Sequence, residues 1–298
     1  MRIAISGASG LVGTSLQAAL RRDGHQIQRI VRRPAAGLDE VAWDPSTRTI
    51  DIDSLVGVDA VIHLAGAGVG DKRWTAEYRD TILRSRVEGT ETIATAVATL
   101  NPKVFMSASA IGWYGETGNR AVTETDRAGD DFLANVCRAW EAAADLAGEV
   151  RTVKLRTGLV LDPKGGALGR MIPLFKAGIG GHLGSGRQWW SWITLRDQIG
   201  AIKHLLTSEF SGPINLVSPN PATNTEVTAA LARALHRPAL LPVPAFALKI
   251  ALGGFSSEVL GSKKVLPEAL LADGYRFQDE HIATAIAQML GQARKPTR

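Results

Sequence analysis

Short apolar runs alternate with longer segments of helical periodicity through the first half of the chain. Strands are predicted at RIAIS, QIQRIVR, DAVIHLAG, KVFMSAS, VRTVKLR and, later, GPINLV. Helices are predicted to begin near Gly10, Trp74, Asp130 and Leu195. This alternation is typical of a parallel sheet with helices on both faces. We therefore predict an α/β fold with a doubly wound parallel sheet.

The pattern changes after Leu161. Residues 163–190 are rich in glycine, with basic and aromatic insertions, and predict a helix followed by a long loop. From Thr223 onward the chain is predicted to be helical, with TNTE as a helix-start signal. Further helical segments are predicted around residues 264–271 and 280–290. We interpret this part as a smaller, mostly helical substrate or lid lobe.

These patterns predict two domains. The nucleotide-binding domain is expected to comprise residues 1–161 and 190–220, and the C-terminal lobe residues 162–189 and 221–298.

A glycine-rich segment, GASGLVG, follows the first strand and opens a helix. Gly7 permits a tight turn, Gly10 lets the backbone approach a pyrophosphate, and Gly13 lets the helix pack closely on the strand. This spacing predicts a Rossmann-type dinucleotide site; the alternative is a glycine-rich turn without a ligand. The predicted contacts are Gly7, Ser9, Gly10, Leu11, Val12 and Gly13.

Two arginines stand where NAD-binding proteins usually have an acid that binds the ribose 2′-hydroxyl. The second strand ends in IVRRP, which contains Arg32 and Arg33. Guanidinium groups can bind a 2′-phosphate with paired donors, so the sequence favours NADP. The alternative is two exposed arginines at a strand end.

Composition argues against several other classes. The net charge is +5, but 34 Lys and Arg are scattered among 29 Asp and Glu, so a solvated basic surface is favoured over nucleic-acid binding. The six histidines show no short metal-ligand spacing, so no metal site is predicted. GxSxG does not follow any predicted strand, which argues against a hydrolase.

The expected location is the cytoplasm. The single cysteine, Cys137, cannot form an internal disulfide, which fits a reducing compartment. The N-terminus leads directly into a strand without a basic and apolar leader. The stretch PAFALKIALGGF is too short to span a bilayer and contains Lys249, so no membrane partner is expected.

Several motifs resemble the extended short-chain dehydrogenase/reductase superfamily. They are SGASGLVG at the start, HLAG at 63–66, RVEGT at 86–90 and SASAIGWYG at 107–115. Other stretches resemble an atypical epimerase-like family with a C-terminal domain of unknown function. They are AWDP at 42–45, RWT at 73–75, SRVEGT at 85–90, DFLANVCRAWE at 131–141, LRTGLVL at 155–161, SWITLRD at 191–197 and KKVLPEALLADGYRF near the end. The resemblance covers essentially the whole chain.

The resemblance implies further cofactor contacts. In relatives, the HLAG-like turn lies against the adenosine side of the cofactor, which implies that Leu64, Ala65 and Gly66 do so here. Relatives usually have asparagine where this chain has Arg86. That arginine is expected to reach the cofactor phosphates, or else to be a charge on the helix surface.

Members of the superfamily normally transfer a proton with a Tyr-x-x-x-Lys pair, in which lysine lowers the tyrosine pKa. None of the tyrosines here, at 78, 114 and 275, is followed by lysine at that spacing. Aligning Glu141 with the glutamate that commonly follows the lysine puts Leu133 and Cys137 at the two positions. We interpret Cys137 as a small apolar contact of the nicotinamide end rather than as a nucleophile.

The stretch SASAIGWYG supplies the remaining candidates. The resemblance places Ser107, Ala108 and Ser109 at the end of the fifth strand beside the cofactor, with Ser109 at the position of the usual serine. Tyr114 stands where relatives have the tyrosine of their VYG turn. Ser109 and Tyr114 are therefore the candidate catalytic residues. For Tyr114, proton transfer and a role in shaping the pocket both remain open.

Two functions fit these residues. One is an NADP-dependent oxidoreductase or epimerase-like enzyme that acts on an unidentified small molecule, with a homodimer as the candidate assembly. The other is a catalytically silent NADP(H)-binding sensor or regulatory protein. The candidate substrate wall consists of Lys72, Arg73, Trp74, His182, Arg187, Trp189 and Trp192. For its tryptophans, packing at a domain interface is the alternative.

Overall fold

The structure, a computed structural model, describes residues 1–292 and shows the predicted alternation of strands and helices. Its strands are β1 (Arg2–Ser6), β2 (Gln26–Val31), β3 (Glu40–Asp44), β4 (Thr49–Ile50), β5 (Ala60–His63), β6 (Val104–Ala110), β7 (Ala121–Val122), β8 (Thr152–Thr157), β9 (Leu159–Asp162), β10 (Trp189–Trp190), β11 (Trp192–Thr194), β12 (Gly212–Leu216), β13 (Ala222–Thr223) and β14 (Lys264–Val265). Its helices are α1 (Leu11–Arg22), α2 (Ala76–Leu100), α3 (Phe132–Ala144), α4 (Gly166–Lys176), α5 (Leu195–Thr207), α6 (Asn224–Leu235), α7 (Ala245–Leu252), α8 (Ser256–Leu260), α9 (Glu268–Ala272) and α10 (Ile282–Gln292).

The main sheet has eight strands in the order β12-β8-β6-β5-β1-β2-β3-β4. The pairs β1–β2, β1–β5, β2–β3 and β5–β6 are parallel. The chain builds the sheet outward from β1 on one side and resumes at β5 on the other, so the strand order switches between β1 and β5. In such folds ligands bind at the carboxyl ends of the strands beside this switch point. The predicted α/β fold with a Rossmann-type sheet is confirmed.

The burial of β1 explains its continuous apolar sequence. Ile3, Ala4 and Ile5 have no exposed surface, as expected for a strand covered on both faces. The six strands that the pattern predicts are all present. The sheet extends beyond them with β3 and with β4, which pairs antiparallel to β3.

The chain divides into two compact units. The first contains residues 1–115, 128–156 and 199–214, and the second contains residues 116–127, 157–198 and the described residues from 215 onward. In the second unit, apolar side chains of α4, α6 and α10 form one core. Helix α6 begins with the predicted capping box, in which the Thr223 side chain accepts from the Glu226 N–H and the Glu226 carboxylate accepts from the Thr223 N–H.

One predicted helix is mostly wrong. Of residues 264–271, Lys264 and Val265 form β14, which pairs with β7, and only the short α9 from Glu268 to Ala272 is helical. The physical reason is Pro267, because a proline disfavours helical geometry in the residue before it. In the described chain, no helix combines the length and apolar character needed to cross a membrane.

Candidate functional site

The glycine turn connects β1 to α1 at the switch point of the sheet. Gly7 has φ +66°, a left-handed conformation that favours glycine. A Cβ on Gly13 would lie 2.3 Å from the carbonyl oxygen of Gly7, so only glycine allows the helix to approach the turn this closely. Gly10 is the N-cap of α1, and no side chain caps this helix. The first backbone N–H groups of α1 can therefore bind an anion.

The turn after β5 lies directly against the glycine turn. A Cβ on Gly7 would be 2.6 Å from the carbonyl carbon of Leu64 and 2.8 Å from the Ala65 nitrogen. A Cβ on Gly66 would be 3.6 Å from Cγ of Arg86. The structure thus brings together two turns that are almost 60 residues apart in sequence, both of which were predicted to contact the cofactor.

A buried serine and histidine support these turns. Ser6 Oγ and His63 Nδ1 are 2.6 Å apart, and Ser6 Oγ also accepts a hydrogen bond from the Leu64 N–H. The Trp43 ring packs edge-on against the imidazole, with 5.8 Å between ring centres. Burial lowers the pKa of His63 to about 3, so its ring is neutral near pH 7. The sequence signal was the His of HLAG, whose partner could not be predicted.

Arg32 and Arg33, at the end of β2, differ in their contacts. Both are exposed. Arg33 donates from Nη1 and Nη2 to the two carboxylate oxygens of Glu40, each at 2.6 Å. Arg32 has no ion-pair partner among residues 1–292, so its guanidinium is available to an anion. The sequence treated the two arginines as equivalent; the structure distinguishes them through an acid on β3.

Arg86 is a partly buried cation on α2. Its guanidinium carbon lies 4.9 Å from the centre of the Trp140 ring, and Nη1 donates to the carbonyl oxygens of Ala67 and Ile82, each at 3.0 Å. No carboxylate in the described chain forms an ion pair with it. Burial lowers the pKa of Arg86. The charge is thus partly removed from water without a counterion, which favours an anionic ligand.

The two candidate catalytic residues belong to a buried polar cluster. Arg156 on β8 donates to Glu141 on α3 through Nε at 2.8 Å and Nη2 at 2.9 Å. Ser109 Oγ donates to Glu141 Oε1 at 2.6 Å, and Arg156 Nη1 donates to Tyr114 Oη at 3.1 Å. The guanidinium carbon also lies 3.9 Å from the centre of the Trp113 ring. We call Ser109, Tyr114, Glu141 and Arg156 the Glu141–Arg156 cluster; each is at most 5% exposed.

The charges within this cluster balance each other. Burial opposes the charge of Arg156, but the hydrogen bonds and charge of Glu141 raise its pKa. Because the carboxylate of the pair can only accept, the Ser109 hydroxyl hydrogen points to Glu141. The ion pair was missed at the sequence level, although Glu141 and Arg156 both lie in motifs quoted above. Neither motif shows that its charged residue meets the other.

Cys137 is buried beside the same strand end. Its Sγ lies 3.6 Å from the Ala110 carbonyl oxygen and would lie 3.5 Å from a Cβ on Gly112. Leu133, one helical turn earlier on α3, would contact that same Cβ at 3.3 Å. The two positions that the resemblance aligns with the Tyr-x-x-x-Lys pair therefore pack against the segment that follows β6.

The other residues predicted to contact the cofactor or substrate differ in their exposure to solvent. Ser9 and Gly10 are exposed, and Leu11, Val12, Leu64, Ala65 and Ala108 are partly exposed. Ser107 is buried. The predicted wall residue Trp192 is fully buried in the core of the second unit, and its Nε1 donates to the Asn220 carbonyl. This burial indicates that Trp192 packs within the second unit rather than lining a substrate wall.

Residues 1–292 contain no group of three or more His, Cys, Asp or Glu side chains arranged to hold a metal ion.

The two turns at the switch point and the N-terminus of helix α1 define a protein of the Rossmann class. Residues 3–217 match the NAD dependent epimerase/dehydratase family, and residues 243–289 match a domain of unknown function, DUF1731. The chain belongs to the NAD dependent epimerase/dehydratase family.

Relatives match nearly the whole chain. An epimerase family protein of Mycobacterium leprae is 42% identical over 290 residues, which cover 96% of this chain and 94% of that protein. The human epimerase family protein SDR39U1, solved with NADPH, has a TM-score of 0.89 and 30% identity, and the match covers 98% of this chain and 99% of that one. A nucleoside-diphosphate sugar epimerase from Corynebacterium glutamicum has a TM-score of 0.80 and 34% identity over 98% of this chain and 58% of that one.

Proposed function

We propose that this chain binds NADP(H) and is an oxidoreductase or epimerase-like enzyme of the cytoplasm that acts on a small molecule. The observation that carries the cofactor is Arg32, an exposed cation without an ion-pair partner in the described chain, at the end of β2 beside the glycine turn. Its place is where an acid would select NAD. The NADPH in the human relative's structure supports the same cofactor.

The residues present fit such a cofactor. The turn formed by Gly7 and Gly13 has no room for a Cβ, as a backbone that closely approaches a pyrophosphate requires. The N-terminus of α1 and the guanidinium of Arg86 provide donors for the phosphates. When bound, NADPH supplies a hydride to the reaction. The protein's contribution is to hold that cofactor and orient its substrate.

Ser109 and Tyr114 are the candidate groups for proton transfer, and their burial favours a role in shaping the pocket. Arg156 does place a positive charge beside the Tyr114 hydroxyl, as lysine does beside the tyrosine of the usual pair. However, Tyr114 is 3% exposed and Ser109 directs its proton to Glu141. We therefore propose that water or the substrate itself completes the proton transfer.

Fluorescence titration of NADPH and NADH tests the cofactor. Wild type should bind NADPH more tightly, and Arg32→Ala should weaken NADPH roughly tenfold while leaving NADH nearly unchanged, since a charged hydrogen bond contributes about 1.5–3 kcal/mol. Arg22→Ala, at an exposed arginine of α1, is the matched control. Equal affinities for the two cofactors in wild type would refute NADP selectivity.

The sensor function is the second candidate, favoured by the missing Tyr-x-x-x-Lys pair. A panel of carbonyl and quinone substrates distinguishes the two. Slow NADPH oxidation supports the enzyme. Tight NADPH binding without turnover on any member of the panel supports the sensor.

A further inference from the structure

Glu40 is a buried acid at the start of β3 whose carboxylate accepts hydrogen bonds or ion pairs from β2 and from the loop that follows it. Besides the two bonds from Arg33, it lies 2.8 Å from Nη2 of Arg29 and accepts the Ala36 N–H at 2.8 Å. Its side chain is 1% exposed, whereas those of Arg29 and Arg33 are 36% and 55% exposed. The acid is thus covered by the arginines that neutralise it.

The carboxylate stays ionised under any condition in which cofactor binding would be measured. Hydrogen bonds from Arg33 and then from the Ala36 N–H lower the pKa of Glu40 to about 2. A permanent negative charge therefore lies beside the strand end where a 2′-phosphate is proposed to bind. Such a charge opposes a phosphate unless a cation covers it.

We infer that Glu40 and Arg33 together determine cofactor specificity: Arg33 acts by neutralising Glu40, and Arg32 supplies the direct contact to the 2′-phosphate. Arg33 is then a positioning residue, because both of its terminal nitrogens are directed to the carboxylate. Without Arg33, the Glu40 carboxylate would repel the phosphate of NADP and could accept a hydrogen bond from the ribose hydroxyl of NAD. This inference rests on the proposed binding of NADP(H).

Substitutions of Arg33 and Glu40, made singly and together, test the roles inferred for these two residues. In Arg33→Ala, Arg29 is the one arginine that remains on Glu40, and its Nη2 is shared with the Asp39 carboxylate at 3.1 Å. The incompletely neutralised Glu40 should raise the NADPH Kd by roughly tenfold, since like charges brought together are strongly unfavourable. Adding Glu40→Gln to that variant should restore the NADPH Kd to within about threefold of wild type, because the repulsive charge is gone. If Arg33 contacts the phosphate directly, the second substitution restores nothing, and the inference is overturned.

NADH affinity provides a second test that needs only the single variant. Arg33→Ala should bind NADH about two- to threefold more tightly than wild type, as a freed acid gains a ribose contact. This test does not depend on whether the double variant folds. Unchanged or weaker NADH binding by Arg33→Ala would contradict the inference. Arg29→Ala is the matched control: Arg33 still covers Glu40 there, so the NADPH Kd should stay near that of wild type.

These results are distinguishable from failure of the proposed function. A wild type that binds neither cofactor, or both equally, refutes the proposed NADP site itself. A wild type that prefers NADPH, together with an Arg33→Ala defect that Glu40→Gln does not relieve, refutes only the role of Glu40.

Discussion

The cations of the first unit differ in whether the protein supplies a counterion. Arg156, in the Glu141–Arg156 cluster, is fully compensated by a carboxylate and hydrogen-bonded to its neighbours. Arg32 and Arg86, beside the glycine turn and the turn after β5, have no carboxylate partner in the described chain. Arg156 therefore has its counterion within the protein, whereas Arg32 and Arg86 have none in the described chain.

We infer from this difference that the residues of the Glu141–Arg156 cluster serve the fold and that Arg32 and Arg86 serve the proposed ligand. Partial burial of an uncompensated cation costs free energy, as the lowered pKa of Arg86 reflects. Such an arrangement is retained more easily if an anion binds there. In a buried ion pair, by contrast, each charge is stabilised by its partner and by hydrogen bonds from the protein. Removing either partner leaves the other charge buried and uncompensated, which destabilises the fold. We therefore expect substitutions in the cluster to affect stability first and substitutions at the turns to affect binding first.

Removing the acid of the cluster should have the largest effect. Glu141→Ala leaves the Arg156 guanidinium buried without its counterion, so the free energy of unfolding should fall by about 3–5 kcal/mol. Urea denaturation measures it. Glu149→Ala, at an exposed glutamate of the same unit, is the control and should change stability little. A Glu141→Ala protein as stable as wild type would mean that the cluster does not hold the fold.

Acid should lower the free energy of unfolding through His63, which supports the turn after β5. The pKa of His63 is lowered from 6.5 to about 3 in the folded protein, so the unfolded chain takes up a proton that the folded chain does not. This stabilising contribution is complete above about pH 6.5 and decreases as the pH falls toward 3, with a loss of about 2 kcal/mol at about pH 5. His63→Gln should remove this dependence from urea denaturation curves. If the slope persists in the variant, other groups cause it.

The sequence could predict the turns because their information is local. Gly7, Gly10 and Gly13 are three apart, and the backbone around Gly7 and Gly13 leaves no room for a Cβ. The continuous apolar sequence of β1 likewise predicts a strand that is buried on both faces. The fold class and the site end of the sheet followed from such short patterns, since parallel strands bring their carboxyl ends to the same edge.

Pairing between distant segments could not be predicted in this way. Ser109 and Glu141 are 32 residues apart, and only the packing of α3 against β6 brings them together. The partner of Arg33 is on β3, a strand that the apolar pattern did not predict. Strand β14 was mistaken for helix because its partner, β7, lies more than 140 residues earlier. Such contacts depend on tertiary geometry that no single stretch of sequence contains.

Removing a cation from the turn region should affect binding rather than stability. Arg86→Met should weaken NADPH and NADH equally, by about tenfold, because both cofactors share the pyrophosphate and a charged hydrogen bond contributes about 1.5–3 kcal/mol. The free energy of unfolding without cofactor should stay the same or rise, since a desolvated charge is removed. Arg84→Met, at an exposed arginine of the same helix paired with Glu88, is the control. A large loss of stability with unchanged cofactor affinity would make Arg86 a structural residue.

Tyr114→Phe should have the smallest effect of these substitutions. The substitution removes only the hydroxyl that accepts from Arg156, so the free energy of unfolding should fall by about 0.5–1.5 kcal/mol. NADPH affinity should not change, because Tyr114 belongs to the compensated cluster and not to the turns. If Tyr114 shapes the pocket, turnover should keep its rate within a few fold and its pH profile unchanged. Abolished turnover at unchanged cofactor affinity would instead show that the buried hydroxyl takes part in the reaction, and the cluster would then serve chemistry as well as the fold.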